Sequence, residues 1–215
     1  ALFYALGGAG NDPQSWQAHG RSILPGDEVA RLLRHQGAMS ATSRLDVHAP
    51  DSWLHELLLR ETQTYLANTL LRDNDWTSMA HSLELRVPLV DAEIFTLAGT
   101  IPPDAKLTPS GGKRILREAF RELLPPWIYD DRQKKTFTLP LMKWMRLPKW
   151  QQRIRDTLES RQSRERGLFD AAQVSRMCEA YFSSQLESKA AWPLSQRVWL
   201  LYVFEEWARR NLDHA

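Results

Sequence analysis

The sequence contains little of the chemistry that defines several large classes of protein. It has one cysteine, Cys178, among 215 residues, which excludes an internal disulfide framework and a cysteine-rich zinc site. None of its six histidines stands in an H-E-x-x-H or Cys/His arrangement, so we predict no metal ligands of this kind. No apolar run approaches the ~20 residues of a membrane span. These absences favour a reducing compartment, and we expect a cytoplasmic protein without a membrane partner.

An excess of charge of one sign is also lacking. Lysine and arginine total 28 against 26 aspartate and glutamate residues, which leaves a net charge of +2. So small an excess attracts nucleic-acid phosphates weakly, and we expect no nucleic-acid partner. The basic run at residues 161–166 is interpreted as the solvated end of a charged helix and a loop, in preference to a nucleic-acid patch.

Glycine and proline are frequent in the first fifty residues, and they indicate loops around one short helix at residues 27–35. We therefore divide the chain into an irregular segment, residues 1–50, and a helical part, residues 51–215. The chain opens with Ala1 rather than Met, and residues 1–6 have neither the basic start nor the length of a signal peptide. We expect that further residues precede Ala1 in the natural protein.

Helix signals dominate from Pro50 onward. Asp51 or Ser52 is placed to cap a long helix, which a polar break at residues 72–75 should end. Capping aspartates are also expected to start a short helix at Asp75, another at Asp91 and a longer one at Asp170. A helix that is apolar on most sides should open at Pro193 and be buried centrally. No strand alternation is present, so the prediction is a mainly helical fold.

Three patterns that could carry chemistry have simpler structural readings. Asp73 and Asp75 could hold Mg²⁺ beside a phosphate, although a loop with a helix cap is favoured. Cys178 falls on the apolar stripe of a helix and is interpreted as a core residue rather than a nucleophile. Ser78 and His81 share a short helix without a G-x-S-x-G turn, so a serine hydrolase is not expected.

A cluster of positive charge at residues 132–135 is a stronger candidate for a functional site than these three patterns. Arg132, Lys134 and Lys135 lie in an irregular segment with apolar residues on both sides, namely Trp127, Ile128, Phe137 and Leu139. Apolar anchors can hold a cation at a fixed place in a cleft, where it offsets the charge on a departing polyphosphate. On the residues alone, this function and an ordinary solvated loop are equally supported.

A family resemblance rests on the order and spacing of five motifs. They are Tyr65–Asp75 (YLANTLLRDND), Ser78–Asp91 (SMAHSLELRVPLVD), Lys113–Ala119 (KRILREA), Leu124-Pro125, and Arg132-Gln133-Lys134 followed by Phe137 and Pro140. In this order they closely resemble the synthetase domain of glutamine-hydrolysing asparagine synthetases. The resemblance covers roughly residues 53–209.

The resemblance implies a fold and a reaction. In that family an amidotransferase domain releases ammonia from glutamine, and a synthetase domain uses ATP and Mg²⁺ to adenylate aspartate, which ammonia converts to asparagine. The implied fold is the helical C-terminal portion of an adenine-nucleotide α-hydrolase-like (PP-loop) α/β domain, with the nucleotide-binding sheet largely missing from this chain. Small-molecule partners, namely aspartate, ATP and ammonia from glutamine, follow from it.

The resemblance also implies site residues. Lys134 matches the lysine that contacts pyrophosphate, and Arg132 matches a second phosphate contact. Ser78, Glu84, Arg86 and Asp91 match a motif that lines the cleft. Glu84 is predicted as catalytic with Lys134, by orienting the substrate ammonium or Arg86. A Glu84–Arg86–Asp91 network that only fixes the loop is an equally supported alternative.

The sequence departs from the family in two ways. Thr136 stands where the family usually has glycine, so the loop that carries Lys134 is expected to differ in shape. The S-G-G-x-D-S nucleotide loop and the cysteine-led glutaminase domain are not in these residues. We therefore expect a fragment, inactive alone, that exposes apolar surface for missing N-terminal domains or a homodimer. The alternative is a non-catalytic helical scaffold or interaction module of the same ancestry.

Overall fold

The fold is mainly helical, as predicted. The structure is a computed structural model that describes residues 12–34, 52–108, 111–130, 139–185 and 191–213. The chain forms two compact units, each assembled from two stretches of sequence. Unit 1 comprises Ala1–Gly20 and Arg44–Thr136, and unit 2 comprises Arg21–Ser43 and Phe137–Ala215. The predicted boundary at residue 50 stays a prediction, because residues 35–51 lie outside the described parts.

Unit 1 is a series of helices with one very short hairpin. Its elements are α1 (Pro13–Arg21, whose last residue belongs to unit 2), α3 (Trp53–Glu61), a π-helix (Thr62–Leu71), α4 (Arg72–Met79), α5 (Ala92–Thr100), α6 (Pro103–Lys106), β1 (Leu107–Thr108), β2 (Gly111–Gly112), α7 (Arg114–Ala119) and α8 (Pro126–Tyr129). β1 and β2 pair antiparallel, with Leu107 opposite Gly112.

The long helix of unit 1 begins as predicted and ends later. The Ser52 hydroxyl accepts a hydrogen bond from the His55 amide, so Ser52 caps α3. The expected break at residues 72–75 is wrong, because helical structure continues from Trp53 through the π-helix to Met79. Polar residues without glycine or proline do not stop a helix, and their side chains here lie in solvent.

Few side chains of unit 1 are buried. Among its described residues only Pro13 and Arg60 fall in the buried class, and Arg60 pairs with Glu56 at 2.7 Å. Large apolar side chains lie open instead, including Trp76, Leu123 and Trp127, which are 71%, 77% and 74% exposed. The exposed apolar surface expected from the sequence is therefore present in this unit.

Unit 2 contains the hydrophobic core. Its helices are α2 (Gly26–Leu32), α9 (Leu141–Met145), α10 (Pro148–Leu158), α11 (Arg161–Arg166), α12 (Ala171–Ser183) and α13 (Ala191–Asn211). Helix α13 packs on α9, α10 and α12, and α2 packs on α12. The buried cluster consists of Leu32, Met145, Ile154, Leu158, Val174, Cys178, Tyr181, Val198, Leu201 and Tyr202. The predicted cap of α12 is confirmed, since Asp170 accepts from the Gln173 amide.

Helix α13 is buried on one face only. Val198, Leu201, Tyr202 and Ala208 point into the core, whereas Trp192 and Trp207 on the other side are 51% and 49% exposed. The expectation of a centrally buried helix is confirmed for the face that packs on α9, α10 and α12 and wrong for the opposite face. The expected start at Pro193 is close, because the helix opens two residues earlier, at Ala191.

The basic run at residues 161–166 is not a solvated loop. It forms α11, with Ser160 as its N-cap and Gly167 as its left-handed C-terminal residue (φ 69°). The Arg166 side chain is only 10% exposed, and its guanidinium donates to Glu205 at 2.5 Å and, through two nitrogens, to both Asp213 carboxylate oxygens. The hydrogen bonds to Asp213, followed by the contacts with Glu205, raise the pKa of Arg166 above its ordinary value despite its burial.

Candidate functional site

The segment that carries most of the predicted site residues leaves α4 through a tight turn. The Leu83 amide donates to the Ser78 carbonyl at 3.0 Å and the Ser82 amide to the Met79 carbonyl at 2.9 Å. This pair of bonds is a Schellman motif, which requires a left-handed residue at its C′ position. Ser82 takes that position with φ 57°. The turn ends the helix and leads into residues 83–87, which form no helix or strand.

Glu84 and Arg86 form an ion pair in this irregular stretch. Arg86 Nε donates to Glu84 Oε1 at 3.0 Å. The carboxylate is 71% exposed and the guanidinium 84% exposed. The pair therefore presents two opposite charges to solvent. An exposed pair of this kind adds little stability.

Asp91 has a structural task in the helix that follows. Its Oδ1 accepts hydrogen bonds from the Glu93 amide at 2.8 Å and the Ile94 amide at 3.1 Å. The predicted cap of α5 is confirmed. In the described residues Asp91 forms no ion pair with Arg86. Of the predicted Glu84–Arg86–Asp91 network, the structure therefore contains only the Glu84–Arg86 pair.

Ser78 lies where α4 ends and is linked through its backbone to Leu83, at the start of the irregular stretch. Its hydroxyl donates to the Asp75 carbonyl at 3.1 Å, while its own carbonyl accepts from Leu83, the residue before Glu84. The structure thus brings Ser78 and the Glu84–Arg86 pair into one short stretch. Their roles toward a substrate stay predictions.

The predicted phosphate contacts lie outside the described residues. Arg132 and Lys134 fall in residues 131–138, as do Lys135 and Thr136. Pyrophosphate binding by Lys134 and Arg132 therefore stays a prediction.

The Asp73–Asp75 pair does not form a cap or a metal site. Both residues lie in the first turn of α4, and its N-cap residue is Leu71 without a side-chain bond. The expected capping role of Asp75 is wrong, because the helix does not begin there. Residues two apart on a helix do not face each other, so these two carboxylates cannot share one Mg²⁺. Among the described residues no three His, Cys, Asp or Glu side chains converge as a metal site would require.

Cys178 belongs to the core of unit 2, as predicted. Its side chain has no exposed surface, and burial raises the pKa of its thiol to about 12. Because the thiolate is the reactive form, a thiol with such a pKa is a poor nucleophile at neutral pH.

The left-handed backbone of Lys113 was not predicted from the sequence. Lys113, in the KRILREA motif, precedes α7 with a left-handed backbone (φ 63°). The Pro109–Gly112 turn signal before it could have indicated an irregular backbone here, but not which residue takes a conformation that non-glycine residues seldom adopt.

No helix within the described ranges is both long enough and apolar enough to cross a membrane.

Comparison with known proteins agrees with the motif order. Residues 9–209 match the asparagine synthase family. The chain is 31% identical over 152 residues to a provisionally named glutamine-hydrolysing asparagine synthetase of Mycobacterium tuberculosis, covering 71% of this chain and 22% of that protein. It is 24% identical over 155 residues to glutamine-hydrolysing asparagine synthetase 1 of Bacillus subtilis, covering 71% of this chain and 23% of that protein. The chain thus spans about a fifth of these relatives. No solved structure matches it significantly.

Proposed function

Because the chain belongs to the asparagine synthase family, we propose that it forms the helical part of an ATP-dependent amide ligase that makes asparagine from aspartate and glutamine-derived ammonia. The observation that carries this proposal is the family match over residues 9–209. The exposed Glu84–Arg86 pair supports it, since this pair lies in the segment that resembles the family's cleft motif.

Lys134 and Arg132 are proposed to contact the pyrophosphate. Both are cations, and cations are the donors that suit phosphate oxygens. A lysine ammonium on a flexible stem can follow a leaving group as charge develops on it, and an arginine fork can hold it in a fixed orientation. Bound Mg-ATP would supply the adenylyl group that activates the aspartate carboxylate.

Glu84 and Arg86 are proposed to act on the amino-acid side of the reaction. Glu84 would orient the substrate ammonium, and Arg86 would hold the Glu84 carboxylate in place through the 3.0 Å bond already present. Ser78 would fix the start of the segment, and Asp91 would fix its end by capping α5.

We further propose that the 215-residue chain does not make asparagine alone. The nucleotide loop of the form S-G-G-x-D-S is not among these residues. The many exposed apolar side chains of unit 1 also favour a surface that other parts of a longer synthetase cover.

The test is pyrophosphate release by the complete protein that contains this chain, compared with the chain alone. In the complete protein, Lys134→Ala should lower the rate of pyrophosphate release by roughly 10²–10³, the loss seen when one donor to a developing charge is removed. Glutamine hydrolysis should be largely unchanged. The matched control is Lys143→Ala, on α9 of unit 2, which should leave both rates unaltered. Near-normal synthesis by Lys134→Ala would discard the lysine assignment.

The exposed apolar surface also supports a second candidate, a helical scaffold or interaction module without activity. The two candidates differ in one measurement. A ligase releases pyrophosphate in the complete protein when aspartate is added, and a scaffold does not release it with aspartate or with any other carboxylate offered.

A further inference from the structure

Unit 2 contains a cavity of about 250 Å³ that the proposed synthetase chemistry does not use. It lies among α2, α12 and α13, and arginines from all three helices line it: Arg31 from α2, Arg176 from α12 and Arg197 from α13. Gln173 adds a neutral amide, and Glu28 is the one carboxylate in the lining. The polar groups of this cavity are therefore mainly hydrogen-bond donors with positive charge.

Arg197 is held in a fixed orientation at one side of the cavity. Its Nη1 donates to Glu28 at 2.7 Å and its Nε donates to the Ile23 carbonyl at 3.2 Å. Its side chain is only 19% exposed. With two of its three nitrogens occupied, the guanidinium keeps Nη2 for a ligand, and little conformational freedom is left to lose on binding.

The charges around the cavity leave an unmatched positive charge. Arg31 pairs with Asp27 at 2.7 Å, and Arg197 pairs with Glu28. Arg176 is exposed and forms no ion pair within the described parts of the chain. The three arginines carry one positive charge more than Asp27 and Glu28 can balance, which suits a ligand with one negative group.

The remaining lining is apolar. Leu32 is 2% exposed, and Met177 and Leu194 are partly buried against the same core. A cavity with a few directed polar groups above an apolar floor is typical of small-molecule sites, although 250 Å³ is slightly below the usual range for drug-sized ligands.

We propose that this cavity binds a small anion, with its carboxylate or phosphate group on Arg176 and Arg197 and a short apolar arm against Leu32, Met177 and Leu194. The Arg176 guanidinium, which forms no ion pair in the described residues, presents two parallel N–H donors that match the paired oxygens of either anionic group, and Arg197 adds one donor through Nη2. The apolar floor gives the preference for an anion that carries a carbon arm over inorganic phosphate.

The experiment titrates the complete chain with benzoate, phenyl phosphate, inorganic phosphate and the neutral benzyl alcohol, followed by calorimetry and ligand-observed NMR. Benzoate or phenyl phosphate should bind at least tenfold more tightly than benzyl alcohol and than inorganic phosphate. The comparison of the two aromatic anions decides between a carboxylate and a phosphate site.

Variants then locate the binding. Arg176→Gln should weaken it by roughly tenfold or more, the loss expected for one charge-assisted hydrogen bond. Arg197→Lys, which keeps the charge and removes the Nη2 donor, should weaken it at least fivefold. The matched control Arg161→Gln, on an arginine that is 89% exposed on α11, should stay within twofold of the unsubstituted chain.

Three results would overturn the proposal: no saturable binding of either aromatic anion in the millimolar range, equal binding of benzyl alcohol, or unaltered affinity in Arg176→Gln. Because Arg176 lies on the surface, its substitution should leave the fold intact, which circular dichroism checks. The Arg176 result therefore decides the question even if Arg197→Lys loosens α2.

Discussion

Removing the Arg166 guanidinium should destabilise unit 2 severely. Arg166 is 10% exposed and joins Glu205, which is 1% exposed, to Asp213, which is 16% exposed. Glu205 Oε1 has no hydrogen-bond partner in the described structure. The buried carboxylate therefore depends on one guanidinium for compensation of its charge.

The cost follows from the carboxylate that is left behind. In Arg166→Met the side chain keeps a similar length, but Glu205 stays in the core without its cation. Breaking a buried ion pair from one side costs about 3–5 kcal/mol. Replacing both partners, in Arg166→Met with Glu205→Leu, should recover most of that loss and lie within about 1–2 kcal/mol of the unsubstituted chain. Asp213, next to the end of α13, can turn toward water.

Native-state hydrogen exchange measures this on unit 2 itself, without assuming that both units unfold together. In Arg166→Met, the slowest amides of α13 should exchange faster by roughly two to three and a half orders of magnitude. The matched control is Arg164→Met, which removes an exposed arginine from the same helix. It should change the free energy of opening, obtained from the exchange rates, by less than about 0.5 kcal/mol.

Two outcomes would refute this reasoning. One is a cost below about 1 kcal/mol for Arg166→Met, which would mean that water or another group compensates Glu205. The other is a double variant as unstable as Arg166→Met, which would mean that the arginine acts by packing rather than by charge.

Three further predictions concern single residues. In Ser82→Val the turn after α4 should open about 1–2 kcal/mol more easily than in Ser82→Gly, measured by hydrogen exchange of the Leu83 amide, because only glycine adopts φ 57° without strain; equal exchange would contradict the Schellman turn. Asp91→Ala should lower the free energy of unfolding of α5 by about 1 kcal/mol because the cap is lost, whereas Asp91→Asn should keep most of the stabilisation that the cap gives. Equal losses in the two variants would show that the charge of Asp91 matters more than its capping hydrogen bonds. Cys178 should resist iodoacetamide at pH 8 until unit 2 unfolds. Since its folded-state pKa of about 12 lies above the ordinary value of 9.0, its contribution to stability is complete below pH 9 and is lost as the pH rises toward 12. Rapid labelling of the folded chain would disprove its burial.

The helices that sequence reasoning located correctly are those with local signals. Ser52, Asp91 and Asp170 are caps followed by apolar periodicity, and each starts a helix. The same rule failed at Asp75, since an aspartate caps only where the backbone already leaves the helix, and here the helix continues.

The failures at residues 161–166 and at α13 have a different cause. Six polar residues lack apolar periodicity, so only Ser160 and Gly167 could have marked α11. The partners of Arg166 lie 39 and 47 residues further along the chain, beyond the reach of any local pattern. For α13, composition showed apolar residues on most sides, but which face meets the core depends on tertiary packing.

The candidate site was predictable in part. Motif order named Ser78, Glu84, Arg86 and Asp91, which the structure places between the last turn of α4 and the N-cap of α5, and their roles stay predictions. The Glu84–Arg86 contact joins residues two apart in this stretch. The left-handed Ser82 that directs this segment was not foreseen, because serine carries no signal for that conformation.

The uneven burial of the two units has a consequence for the heat that unfolding absorbs. Unfolding enthalpy comes from packed interior, at about 0.7 kcal/mol per residue near 60 °C. Only unit 2, about a hundred residues, contains such an interior among the described residues. Scanning calorimetry of the chain should therefore record one endotherm of roughly 70 kcal/mol, about half the value that a uniformly packed protein of 215 residues would absorb.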